Sequence, residues 1–397
     1  MSRAALAWLL LIAGVLWLQV LPHLTATSTS FPGYWVVGRL VLSGVEGVQL
    51  YDDAWLAAQL YAEGFVGDRM LGPPSLALTL LPLAWLPYET ARGIFMIGVL
   101  TPTLLGSLWW LSRRLSAGWG LLFAVAIALS RPVEAGMEVA QIYPVMLALH
   151  CLGLHGWERG RPRLGGLALA PMMAIRGWHG LPQAAGWILA RRWRGGLWAI
   201  GGTVGLIIAS APFVGVDAWV FFFTTHLSEA AQSQTAYALA YQTWRSLSLH
   251  LTTFHPTLSP DPPLLMLGSG LWLGGAVLIA AASLWAGRRL GHRASGFALW
   301  TAVALLLAPF AEDHQLVLAA LPAAVAWAEV PRLRPVVLAA LLLLLPDWGF
   351  DRPALLGGWR ALLAYPRLYG VGLLWLVLLS AAWLDPGGAP SPPRPSS

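Results

Sequence analysis

The sequence has no lysine, one cysteine and few charges of either sign. Charged residues make up only 11% of its 397 positions, where a water-soluble domain carries roughly a quarter. With 57% hydrophobic residues and a mean hydropathy of +0.66, a soluble body of this size would have almost nothing polar to show to water. The single cysteine, Cys151, lies in an apolar run, which excludes an intrachain disulfide and a thiolate metal centre within one chain. With lysine absent, all 24 basic residues are arginines, set in short clusters between apolar runs. The net charge of +6 is therefore a topology signal and does not point to nucleic acid. There is no nucleotide-binding glycine loop, no HExxH zinc motif and no GxSxG elbow.

What is present is a series of apolar runs along the whole length, which predicts an all-α polytopic membrane protein. The first run, MSRAALAWLLLIAGVLWLQVLP, has no evident small-residue cleavage site and reads as a retained helix. Placing the arginine clusters (Arg3, Arg113–Arg114, Arg159–Arg163, Arg191–Arg194, Arg288–Arg293 and Arg332–Arg334) in the cytoplasm predicts about twelve crossings of the plasma membrane, with both termini inside. Several runs around 164–190 are shorter than the ~20 residues a perpendicular helix needs. Leu76–Leu86, bounded by Pro73–Pro74 and Pro87, reads as a re-entrant or interfacial helix. Residues 1–384 thus form one membrane domain, with a first outer loop over 25–75, a second over 215–263, and a Pro- and Ser-rich tail at 385–397 that reads as disordered.

The chain is organised around the stretch Thr25–Pro87, which is too long for a tight turn and holds Glu46, Asp52, Asp53, Glu63 and Asp68. Tyr34, Val37 and Val41, then Leu50, Ala54, Ala57 and Tyr61, recur at helical spacing, so amphipathic helices are expected on the membrane surface. The same topology puts Arg131–Gln141, the 215–263 loop, Arg176 and Glu312–Asp313–His314 on the outer side. Asp52 and Asp53 can act as a general base, bind sugar hydroxyls or hold a divalent ion; equally, they fit a helix N-cap. Arg176, in an apolar stretch, can clamp a phosphate with paired donors or snorkel to the interface. Glu312, Asp313 and His314 are three adjacent ionisable groups between apolar runs, at the membrane or in a short wet turn. Gln141, Tyr143 and Gln242 fit ordinary hydrogen bonding within a bundle as well as substrate contact. No cofactor is indicated.

Taken in order, these pieces resemble glycosyltransferase family 87, membrane enzymes of the GT-C class that resemble polyprenol-phosphate-mannose-dependent mannosyltransferases. The resemblance rests on YWVVGRLVLSGVEGVQLYDDAW, GPPSLALTLLPLAWLPYETAR, VAQIYPVMLAL, LALAPMMAIRGWHGLP, ALAYQTWRSL and LLLAPFAEDHQLVLAALP, from Tyr34 to Leu321. It implies a GT-C-like helical bundle that transfers a mannose-like sugar from a polyprenyl-phosphate donor to a lipid or cell-envelope glycan acceptor at the outer face. It also implies that Tyr34, Gln141, Arg176, Gln242, Glu312 and Asp313 bind substrate, and that His314 occupies the family's histidine position. The chain departs from the family pattern at Ser30, where an aspartate base is usual, and at Ala140 for Gly, Arg176 for Lys and Tyr241 for Asn. Two outcomes follow from Ser30. Either another carboxylate stands in as the base, with Asp52 and Asp53 ranked ahead of Glu312 and Asp313 because they share the first outer loop, or the chain is a lapsed relative acting as a lipid-glycan binding protein or transporter.

Overall fold

A computed structural model describes residues 3–25, 30–66, 72–228, 240–252, 265–349 and 358–384. The tail 385–397 and parts of both expected outer loops lie outside the described residues. Every described element is helical, as apolar segments in lipid require, because only a helix satisfies its own backbone polar groups there. The chain is an all-α polytopic membrane protein. In order, the helices are α1 (Arg3–Val15), α2 (Ser30–Leu42), α3 (Asp53–Ala62), α4 (Tyr88–Gly93), α5 (Thr101–Ser112), α6 (Ala117–Ala128), α7 (Arg131–Glu138), α8 (Tyr143–Glu158) and α9 (Pro162–Ile175). They continue with α10 (Gly177–Leu189), α11 (Trp193–Val214), α12 (Val216–Phe221), α13 (Trp244–His250), α14 (Leu265–Leu290), α15 (Ala294–Leu307), α16 (Ala320–Glu329), α17 (Arg334–Leu344) and α18 (Pro366–Leu384). Five stretches qualify singly as membrane spans by length and apolar character, or seven if each of two bent pairs counts as one. Shorter apolar helices such as α15 fall below that length, so these spans are fewer than the apolar runs of the sequence.

The arginine-bearing turns gather at one end of the bundle. Arg114 makes two bonds to the Glu158 carboxylate, the Trp157 indole donates to the Arg293 carbonyl at 2.9 Å, and Arg192 donates to the Trp157 carbonyl. Arg293 in turn pairs with Glu329 at 3.8 Å. Turns expected on one side from charge alone therefore meet in space. The polar segments meet at the opposite end. Ser75 Oγ donates to the Ala174 carbonyl at 2.5 Å, the Gln242 amide donates to the Ala311 carbonyl at 2.8 Å, and Arg92 bonds the carbonyls of His23 and Glu138. The Pro-bounded segment after Gly72 also stays at this end. Its start packs near Ala174, and its far end accepts a bond from the Trp35 indole at the Leu86 carbonyl.

Two features shape this polar end. Gly47 and Gly215 both have positive φ, 80° and 82°, and their backbones approach so closely that a Cβ on Gly215 would lie 2.9 Å from the Gly47 nitrogen. The Asp217 carboxylate accepts from the Val48 amide at 3.3 Å, which fastens the first loop to the start of α12. The second feature is helix length. α9 and α11 pack side by side from the arginine end, but α9 has 14 residues and α11 has 22. At the α-helical rise, the longer helix runs ~12 Å beyond the point where α9 stops.

Candidate active site

Arg176 is where α9 stops. Its backbone, at φ −148° and ψ 72°, breaks the helix before α10 begins. The break leaves a guanidinium at the polar end of the bundle, only 8% exposed. Arg176 Nη2 donates to the Tyr34 hydroxyl at 3.1 Å, and that hydroxyl donates to Gln141 Oε1 at 2.7 Å. The chain of bonds therefore joins α2, the turn before α8, and the α9–α10 break. The Arg176 side chain also lies over the Trp178 ring, 5.8 Å from its centroid.

Gln141 owes its position to a strained neighbour. Ala140 sits at φ 47°, in the left-handed region that favours glycine, and is fully buried. The turn it makes ends α7 and delivers Gln141 to Tyr34. Tyr143, at the start of α8, is buried and packs its ring 5.1 Å from His314 and 5.5 Å from His179.

His314 arrives from the turn after α15. Its Nδ1 lies 3.5 Å from Glu312 Oε2. Arg176 is close enough to act electrostatically on both Glu312 and His314. Glu312 keeps 41% of its side chain exposed, yet the protein around it pushes its carboxyl above the usual carboxylate range by desolvation, while Arg176 pulls the other way. Residues from distant stretches, Tyr34, Gln141, Arg176 and Glu312 with His314, thus share one site.

The remaining expected residues are placed as follows. Asp313, next to Glu312, is held in an ion pair with the buried Arg367 and lies 3.8 Å from Arg131. Gln242 ties loops together: its Nε2 donates to the Ala364 carbonyl at 3.0 Å and its Oε1 accepts from the Arg367 amide at 3.3 Å. Asp52 is exposed and caps α3, its Oδ1 accepting from the Trp55 amide at 3.0 Å. Asp53 opens α3 and is also exposed. The Tyr51 ring just before them packs on Phe221, Phe222 and His226, towards the second loop. Ser30 begins α2 one turn before Tyr34, so its side chain leaves the helix on the Tyr34 face. Among the described residues, no group of three or more His, Cys, Asp or Glu gathers as a metal-ion cage.

Sequence reasoning missed His179, Gln315 and Arg367. Buried His179 donates from Nε2 to Gln315 Oε1 at 3.0 Å and packs on Tyr143, the ring that also packs on His314. The only signal for His179 was a histidine close after Arg176 in the apolar run IRGWHG, and Gln315 merely follows His314. Arg367 gave no signal at all, because its partner Asp313 lies far upstream in the chain.

The family model described as glycosyltransferase family 87 matches residues 71–311. That span includes Gln141, Arg176 and Gln242 and ends just before Glu312. No curated protein and no solved structure matches the chain.

Proposed function

The chain belongs to glycosyltransferase family 87 and is a membrane glycosyltransferase, and we propose that its donor is a polyprenyl-phosphate sugar used at the extracytoplasmic face of the plasma membrane. The sugar is mannose-like and the acceptor is a hydroxyl of a lipid or cell-envelope glycan. The observation that carries this reading is the convergence of Tyr34, Gln141, Arg176, Glu312 and His314 at the end of the bundle away from the arginine turns. A buried guanidinium with a hydroxyl bonded to it is suited to a phosphate oxygen. The apolar helices beside it suit the donor's tail, and no nucleotide has to be held.

In the proposed reaction the acceptor oxygen attacks the anomeric carbon, and the bond from that carbon to the phosphate oxygen breaks. The acceptor proton passes to the Glu312 carboxylate. Polyprenyl phosphate leaves with the electron pair, and Arg176 and His314 stabilise the charge that develops there. Glu312 takes the role of base because it stands beside His314 and Arg176, whereas Asp313 is paired with Arg367 and Asp52 caps a helix.

The test is sugar transfer by purified protein from a polyprenyl-phosphate donor, read as release of polyprenyl phosphate. Glu312→Gln should abolish turnover. Asp52→Asn with Asp53→Asn should leave it, since asparagine caps a helix about as well as aspartate. The reverse pattern would move the base to the Asp52–Asp53 pair. A second reading, a lipid-glycan binder without catalysis, is favoured by Ser30 on the Tyr34 face of α2. If only Ser30→Asp turns over, that reading replaces the first.

A further inference from the structure

At the arginine end, a cavity of about 330 Å³ opens between the α8–α9 turn and the α10–α11 turn, where Trp187, Arg191, Arg192, Trp193 and Arg194 supply its polar lining. We propose that this cavity binds the headgroup of an anionic phospholipid.

The lining has one chemical sign. Its polar side chains are three guanidiniums and two indoles, all of them donors, and its other residues are glycine and proline, so no lining side chain can accept a hydrogen bond. Arg191, Arg192 and Arg194 have no carboxylate partner among the described residues. The local acids are engaged elsewhere, Glu158 with Arg114 and Glu329 with Arg293. Trp187 is fully buried, and its Nε1 has no hydrogen-bond partner. A buried donor without a partner costs roughly 1–3 kcal/mol in general, so Trp187 is held in the wall of the cavity at a cost. α11, 22 residues long, starts here with Trp193 and Arg194 in the lining, so the positive end of its dipole lies at the cavity.

The backbone adds a separate sign. Arg191 sits at φ 59°, a left-handed conformation that usually falls to glycine. This left-handed turn places the Arg191 side chain in the lining of the cavity. A second cavity of about 340 Å³ at the same end is lined by Arg293, Glu329 and Arg332 and carries its own carboxylate, so it lacks the one-sign lining.

The surroundings choose a lipid over a free anion. The cavity lies where the α11 span begins, and outward from it Trp193, Leu197 and Trp198 are 55%, 54% and 43% exposed. Exposed indoles at a span's end sit at headgroup level, and the leucine continues as a surface for acyl chains. A phosphodiester would meet the arginines while its tails lay along α11.

The experiment uses the full chain in detergent, measured by native mass spectrometry and by thermal unfolding. Titrants are phosphatidylglycerol, phosphatidylcholine and inorganic phosphate. Phosphatidylglycerol should stay bound and raise the unfolding temperature, and the other two should do neither. Arg191→Gly relieves the strained turn, so it folds, and combined with Arg194→Gln it should weaken phosphatidylglycerol binding by about tenfold or more. Arg332→Gln, at the second cavity, should leave binding unchanged. Equal retention by the double variant would overturn the proposal. So would inorganic phosphate that stabilises the protein as well as the lipid does, which would make this a free-anion site.

Discussion

Tyr34→Phe removes one oxygen from the centre of the site and leaves its shape in place. That oxygen makes two bonds, donating to Gln141 at 2.7 Å and accepting from Arg176 at 3.1 Å. A neutral bond of this kind contributes about 1 kcal/mol net, and one to a charged group ~1.5–3 kcal/mol. Both partners are buried, Gln141 at 5% and Arg176 at 8% exposure, so each would be left facing protein. Tyr34 itself is part-exposed, which lets water replace some of the loss. The expected cost is about 2 kcal/mol in donor binding, which corresponds to roughly 30-fold in affinity. The assay is equilibrium binding of a polyprenyl-phosphate sugar to protein in nanodiscs, in a double-mutant cycle with Arg176→Met. The two changes should be strongly non-additive, because Arg176 and Tyr34 act through one bond. Additivity within about 0.5 kcal/mol would show that the hydroxyl does not orient the guanidinium, and would refute the reasoning.

Three further outcomes are expected. Ala140→Gly should change stability by less than about 1 kcal/mol, read from thermal unfolding in detergent, because relief of the left-handed strain is offset by loss of a methyl buried in the core and by the freer unfolded chain. Asp313→Asn should destabilise by roughly 3 kcal/mol, read in the same way, since it strips the buried Arg367 of its closest counter-charge. The pH profile of kcat/KM should have an acid limb above the usual carboxylate range. Desolvation raises the Glu312 carboxyl, so the base form is lost as pH falls through that raised value, and Glu312→Gln should remove the limb along with the activity.

Much of the architecture was legible because lipid leaves a chain few options. Apolar runs become helices, and the turns that carry Arg114, Arg192 and Arg293 meet at one end through bonds such as Trp157 to Arg293. Arg176 and His314 were legible as ionisable residues in apolar surroundings. What local sequence could not show was pairing across long separations. Asp313 and Glu312 are adjacent and look alike, yet one is tied to Arg367 and the other faces Arg176. Asp52 looked equally suited to capping and to chemistry, and its bond to the Trp55 amide became visible only with coordinates. The strain at Ala140 was foreshadowed only by its departure from a glycine in the family pattern. The left-handed turn there supplies the reason that a glycine would suit the position.

The mismatch in length between α9 and α11 has a consequence for the membrane around the protein. Arg176, seated where the shorter helix ends, lies ~12 Å deeper than the rim formed by its taller neighbour. On the proposed reading, a polyprenyl phosphate that meets Arg176 travels down beside α11, with its first isoprene unit alongside the protein. Discrimination among donors should accordingly fall on the few carbons nearest the phosphate, and shortening the far end of the polyprenyl tail should matter little.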